Sequence, residues 1–158
     1  MIQTLEPILA EIPLFRGMEQ EYVALLAGCA ANVRLEPGQF LFRIGDEADG
    51  FWLVRQGQVS VEIHAPGRGA LTIHTAREGD VIGWSWLVPP YQRHFDARAI
   101  VATRALRMDA KCLRDKFASD PRLGYELMSR FGRVVTQRLD SMALQLLDVY
   151  GHRANPTS

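Results

Sequence analysis

The side chains best equipped for chemistry in this chain are few and scattered. His64, His74, His94 and the thiol of Cys112 form no nucleophile–base motif, and neither H-x-x-H nor C-x-x-C spacing occurs. No catalytic residue and no metal ligand is therefore assigned. His64 and His74 fall on neighbouring predicted strands, across the tip Ala65–Gly69, but two imidazoles without a third ligand make a weak metal site. Cys29 and Cys112 stand far apart and belong to no pair motif, so they read as isolated reduced thiols, and two cannot ligate an iron–sulfur cluster. The remaining candidate is Arg93 with His94. A guanidinium fork beside an imidazole in a loop suits the capture of an anion.

The elements that must position these groups can be read from spacing. Leu5, Ile8, Leu9 and Ile12 recur at three and four and predict a helix ended by Pro13, and Tyr22, Leu25 and Leu26 predict a second. From Val33 to Asp109 the pattern changes to short strands: VRLE, QFLFR, GFWLVRQ, QVSVEIH, ALTIHTA, DVIG, FDARAIV and RALRMD. Their spacing, with Gly and Asp punctuation, predicts a sandwich or small barrel. Asp96 and Arg98 are expected to face outward as a surface ion pair. Helix returns at Ala110–Ala118 and again after Asp120–Pro121, an N-cap followed by a tolerated first-turn proline. That last helix is expected to reach about Asp148, with an apolar stripe of Leu123, Leu127, Phe131, Val135, Leu139, Met142 and Leu146. The stripe reads either as a coiled-coil seam between two copies or as packing against the chain's own strands.

Length and charge bound the function. The 158 residues have room for one domain, here drawn over 1–151, with N-terminal helices at 1–32, strands at 33–109, C-terminal helices at 110–148 and a disordered tail at 152–158. Eighteen Lys and Arg balance eighteen Asp and Glu, so no net field holds nucleic acid or an anionic membrane. The opening MIQTLEPILAEIPLFRG lacks the basic start of a signal peptide, and no apolar run spans a bilayer, which gives an expectation of a cytoplasmic protein.

The stretch beginning at Pro37, PGQFLFRIGDEADGFWLVRQGQV, makes the fold class specific. It resembles the signature G-x-x-L-F-x-x-G-D-x-A-D-x-x-W/Y-x-L-x-x-G-x-V of cyclic-nucleotide-binding domains, the sensor half of Crp/Fnr-type regulators. The resemblance implies a mainly β double-stranded β-helix (jelly-roll) barrel with short N-terminal helices and a long C-terminal dimerisation helix. It also implies a phosphate-binding cassette, here DVIGWSWLVPPYQRHFDARAI from Asp80 to Ile100. On that alignment the ligand-binding set is Gly83, Trp84, Ser85, Arg93, His94 and Phe95, with Arg93 at the phosphate arginine and a cyclic nucleotide or related nucleotide as ligand.

Three departures stand out. Trp84 replaces the glutamate that accepts the ribose hydroxyl, Phe95 replaces a small alanine, and Gln137, Arg138 and Leu139 fall where hydroxyl residues cap the purine. Trp84 and Trp86 read equally as stacking surfaces or core aromatics. The resemblance further implies a homodimer through Leu127, Phe131, Val135, Leu139, Met142 and Leu146. Leu147–Gly151, LDVYG, resembles the hinge that precedes a helix-turn-helix reader, and GHRANPTS after it cannot hold a recognition helix. The expectation is a stand-alone regulatory sensor that contacts neither DNA nor membrane and acts through an effector protein. The alternative is an accessory subunit of a multi-protein redox enzyme, such as an NAD-linked hydrogenase, with no ligand bound.

Overall fold

The computed structural model describes residues 4–154. Helix α1 (Glu6–Glu11) stops at Pro13, which opens a 3-10 turn over Pro13–Phe15, and α2 (Gln20–Ala27) follows. Eight strands come next: β1 (Ala30–Leu35), β2 (Phe40–Phe42), β3 (Gly50–Gln56), β4 (Val59–Ala65), β5 (Gly69–Ala76), β6 (Val81–Ile82), β7 (Asp96–Ala99) and β8 (Thr103–Asp109). A 3-10 turn at Trp84–Leu87 lies between β6 and β7. Helices α3 (Ala110–Ser119) and α4 (Pro121–Ala154) end the chain.

The strands form two four-stranded sheets, ordered β1-β8-β3-β6 and β2-β7-β4-β5, and every pairing is antiparallel. This is the jelly-roll, built as two facing sheets and not as one closed cylinder. Successive strands alternate between the sheets for most of the chain, so β6 and β7 lie in opposite sheets on the two sides of one opening.

Strand β3 explains why its sequence is an unbroken apolar run. Phe51 and Leu53 point to a core shared with α1, α2, α3, α4 and Trp86, whereas Trp52 and Val54 point to a second core between the sheets with Phe42, Val59, Ile82 and Ala97. A strand buried on both faces loses the polar half of its alternation. Gly50, at its start, has no room for a side chain, because a Cβ there would meet the carbonyl oxygen of Met108 on β8.

Three expectations change. Cys29 and Cys112 are joined as a disulfide, with Cα atoms 5.5 Å apart. The cause is register: β1 and β8 pair antiparallel from Ala30 opposite Met108, so the residues just outside the ladder converge however far apart they lie in sequence. Asp96 and Arg98 do not pair with each other. Asp96 accepts from the Ile44 amide at 2.7 Å, while Arg98 binds the buried Glu62 carboxylate across the β4–β7 ladder at 2.8 Å. Helix α4 continues past Asp148 to Ala154, so three of the seven residues assigned to a tail are helical, and 155–158 lie outside the described residues.

The two C-terminal helices start on side-chain caps. The Asp109 carboxylate accepts from the Cys112 amide, and Asp120 accepts from the amides of Arg122 and Leu123, as an N-cap should. Helix α4 is then held by Leu123, Leu127 and Phe131, all in the chain's own core. Leu127 and Phe131 are therefore not seam residues. Phe131 packs edge-on against Phe51 at 4.8 Å and against Trp86 at 5.6 Å. Val134 still packs against this core, and farther along α4 Leu139, Leu144, Leu146, Leu147, Val149 and Tyr150 are exposed. Among the described residues no helix is long and apolar enough to cross a membrane.

Candidate functional site

The connection from β6 to β7 builds a cavity of about 240 Å³ against the long helix. Gly83 starts it. Its φ of +88° is reached without strain by glycine alone, and it turns the chain from β6 into the 3-10 turn that places Trp84 and Ser85 on the cavity wall. Val88, Pro89 and Pro90 continue the wall, and Gln92, His94 and Phe95 complete it as the chain enters β7. Phe42, Val61, Ile73, Val81 and Ile82 form the floor from the sheets. Arg138 and Met142 from α4 close the remaining side, and His74 of β5 stands near them.

Five of the six residues expected in the ligand set thus come together: Gly83, Trp84, Ser85, His94 and Phe95. Arg93 does not line the cavity. It is 2% exposed and runs beneath the cassette, donating from one terminal nitrogen to the Gly83 carbonyl at 2.9 Å and from the other to the Gly50 carbonyl. Its guanidinium lies over the Phe42 ring at 4.2 Å and reaches only to 4.0 Å from Asp49. Burial lowers its pKa to about 10, with Asp49 pulling the other way, so it stays charged at neutral pH. The same packing excludes a side chain at position 83, where a Cβ would stand 2.8 Å from the Arg93 nitrogen and 3.1 Å from the Phe42 ring. Around it the backbone is tied to the β2–β3 loop: Arg93 N–H donates to Asp46 O, and Gly45 N–H to Arg93 O. Arg93 fixes the cassette and leaves its charge out of the cavity.

The two tryptophans separate. Trp86 is a core residue stacked on Phe51 at 5.4 Å, and its carbonyl accepts from Arg114. Trp84 lines the cavity with the Arg138 guanidinium 5.4 Å above its ring. The ligand set read from the sequence omitted Arg138, Met142 and His74, although the resemblance placed Arg138 among the purine-capping positions. An arginine set into the apolar stripe between Val135 and Met142 was the available signal, because a charge in such a stripe needs a partner or a cavity. His74 carried no such signal. Burial lowers its pKa, the Arg138 charge lowers it further, and Asp80, 3.9 Å away, opposes both. Its Nε2 is buried and has no partner among the described residues.

A second, more polar cavity of about 500 Å³ lies on the other side of Arg138, between the 3-10 turn at Pro13 and α4. His74, Val81 and Arg138 line both cavities. No cluster of His, Cys, Asp or Glu able to hold a metal occurs among the described residues.

A jelly-roll whose β6–β7 connection faces a long C-terminal helix defines a class of small-ligand-binding regulatory domains. The chain belongs to the cyclic nucleotide-binding domain family, whose model matches residues 32–120. It is similar to the CRP-like cAMP-activated global transcriptional regulator of Mycobacterium tuberculosis, with 26% identity over 145 residues. That match covers 92% of this chain and 63% of the regulator, so the chain spans less than two thirds of the relative's length. Among solved structures, a cyclic nucleotide-binding domain from Methylobacillus flagellatus superposes with a TM-score of 0.81 at 22% identity, covering 93% of this chain and 86% of that one. A cyclic nucleotide-binding protein from Geobacter metallireducens superposes at 0.77 with 24% identity, covering 88% and 99%. At these identities the two structures support the fold.

Proposed function

We propose that the chain is a regulatory sensor module that binds a small anionic ligand, a nucleotide or a compound of similar charge, in the β6–β7 cavity. It acts as a homodimer in the cytoplasm and passes its state to an effector protein through α4. The observation that carries this reading is the composition of the cavity wall: cassette residues on one side, Arg138 and Met142 of α4 on the other. A ligand that touches both sides has a different affinity for each position of α4, and that difference is what a population shift requires. The curated relative described as cAMP-activated matches across the strands and into α4, which supports a ligand-driven role.

The test is a calorimetric titration of the full chain with cyclic AMP and other small anions, paired with hydrogen exchange along α4. Saturable binding accompanied by altered protection beyond Val135 is the expected result. Binding with no change in α4 would leave a ligand site without the proposed output, and silence from every anion would remove the sensor reading.

A further inference from the structure

The cavity suits a hydrocarbon body with one charge better than it suits a sugar phosphate. Phe42, Trp84, Phe95, Val61, Ile82 and Met142 give it walls of carbon. Among the described residues no Asp or Glu lines it, so a sugar diol finds no carboxylate to accept its hydroxyl protons. The cassette's own guanidinium, Arg93, is spent on two backbone carbonyls and an aromatic face. Among the described residues the only permanent charge on the wall is Arg138, which comes from the helix.

Arg138 is poised for an anion. It is half-buried beside Trp84, and no carboxylate oxygen lies within 4.0 Å of it among the described residues. A guanidinium partly removed from water with no carboxylate in contact gains from any carboxylate that meets its fork. Burial lowers its pKa and the nearby Asp80 charge opposes the shift, so the guanidinium is desolvated and only partly compensated. His74 beside it is held toward the neutral form, so it adds hydrogen-bonding capacity without a second charge. The volume of about 240 Å³ falls below the ~300–1,000 Å³ of pockets for drug-sized ligands, which limits the body to something compact.

Resting on the reading of this cavity as the ligand site, we infer that its ligand is a compact apolar carboxylate, its aromatic or branched hydrocarbon body lodged against Trp84 and Phe95 and its carboxylate on Arg138. The anion anchor has then moved from the cassette to the helix. The ligand's charge pulls directly on α4, and its body seats the cassette.

The full chain is titrated by calorimetry with naphthoate, with its uncharged counterpart naphthamide and with cyclic AMP, and the series is repeated on Arg138→Gln. Circular dichroism melts check that the variant folds. The expected result is saturable naphthoate binding, naphthamide weaker by roughly tenfold or more, and a comparable loss for naphthoate alone in Arg138→Gln, as removal of a charge-assisted pair predicts. Naphthoate binding unaffected by Arg138→Gln overturns the assigned anchor. Saturation by cyclic AMP with none by naphthoate overturns the ligand class and leaves the sensor reading intact. Silence from all three probes overturns the sensor reading and this inference with it.

Discussion

Arg93 and Arg138 divide between them what one arginine was expected to do. Arg93 sits where its charge is costly, under the Gly83 turn, and is retained there by two carbonyls and the Phe42 ring. Truncating it strands those carbonyls and opens a void. Arg93→Ala should therefore lower unfolding stability by about 3 kcal/mol, read as a shift in the urea midpoint, because each buried acceptor left unpaired costs about 1–3 kcal/mol. An unchanged midpoint would refute the structural role. His74 predicts a pH dependence. Its pKa is lowered in the folded chain, so below its ordinary value of 6.5 the unfolded chain binds a proton that the folded chain resists. Stability is fully present above pH 6.5 and is lost as pH falls below it toward the folded value. Thermal melts from pH 7.5 down to pH 5 should show a falling midpoint, with a smaller fall in His74→Gln. An identical fall in the variant would assign the effect to other groups.

At the scale of elements, what could be read in the sequence was what local pattern determines. Each short apolar or alternating run between Gly and Asp turns, from QFLFR to RALRMD, became a strand, and Asp120–Pro121 marked the start of α4. Gly83, read as the cassette glycine from the resemblance, turns the chain out of β6 at a φ of +88°. What escaped was set by register and by helix rotation. The disulfide depends on Ala30 pairing with Met108, which nothing near either cysteine announces. The loss of Leu127 and Phe131 from the seam depends on which face of α4 meets the sheets. The disulfide yields a prediction of its own. It ties the end of α2 to the first turn of α3 across a sequence separation of 83 residues, so Cys29→Ser should cost about 2–4 kcal/mol of stability under oxidising conditions. In reductant the native chain and the variant should become similar. A native midpoint indifferent to reductant would show that the bond contributes nothing.

At the scale of the whole molecule, α4 is too long for the domain it serves. Its 34 residues extend about 50 Å at 1.5 Å per residue, and the chain's own core holds the helix only as far as Val134. The exposed remainder is not uniformly apolar. Leu139, Met142, Leu146 and Val149 recur at three, four and three, the spacing at which two helices bury one seam against each other. An isolated chain would expose this row to water, a condition that monomers rarely sustain over a contiguous patch. The expected state is a dimer through the distal half of α4, with Val135 at the seam's inner edge and Leu127 and Phe131 outside it. Sedimentation equilibrium should give twice the chain mass, and Leu139→Asp with Leu146→Asp should give a folded monomer, because neither residue supports the jelly-roll core. Leu127→Asp should unfold the chain instead. A wild-type monomer at tens of micromolar would break this assignment. The dimer would also bear on ligand binding, since Met142 stands both in the seam spacing and on the cavity wall. Pairing of the helices would then fix the position of Arg138 over Trp84, and the monomer carrying Leu139→Asp and Leu146→Asp should bind an anionic ligand more weakly even with every cavity residue intact.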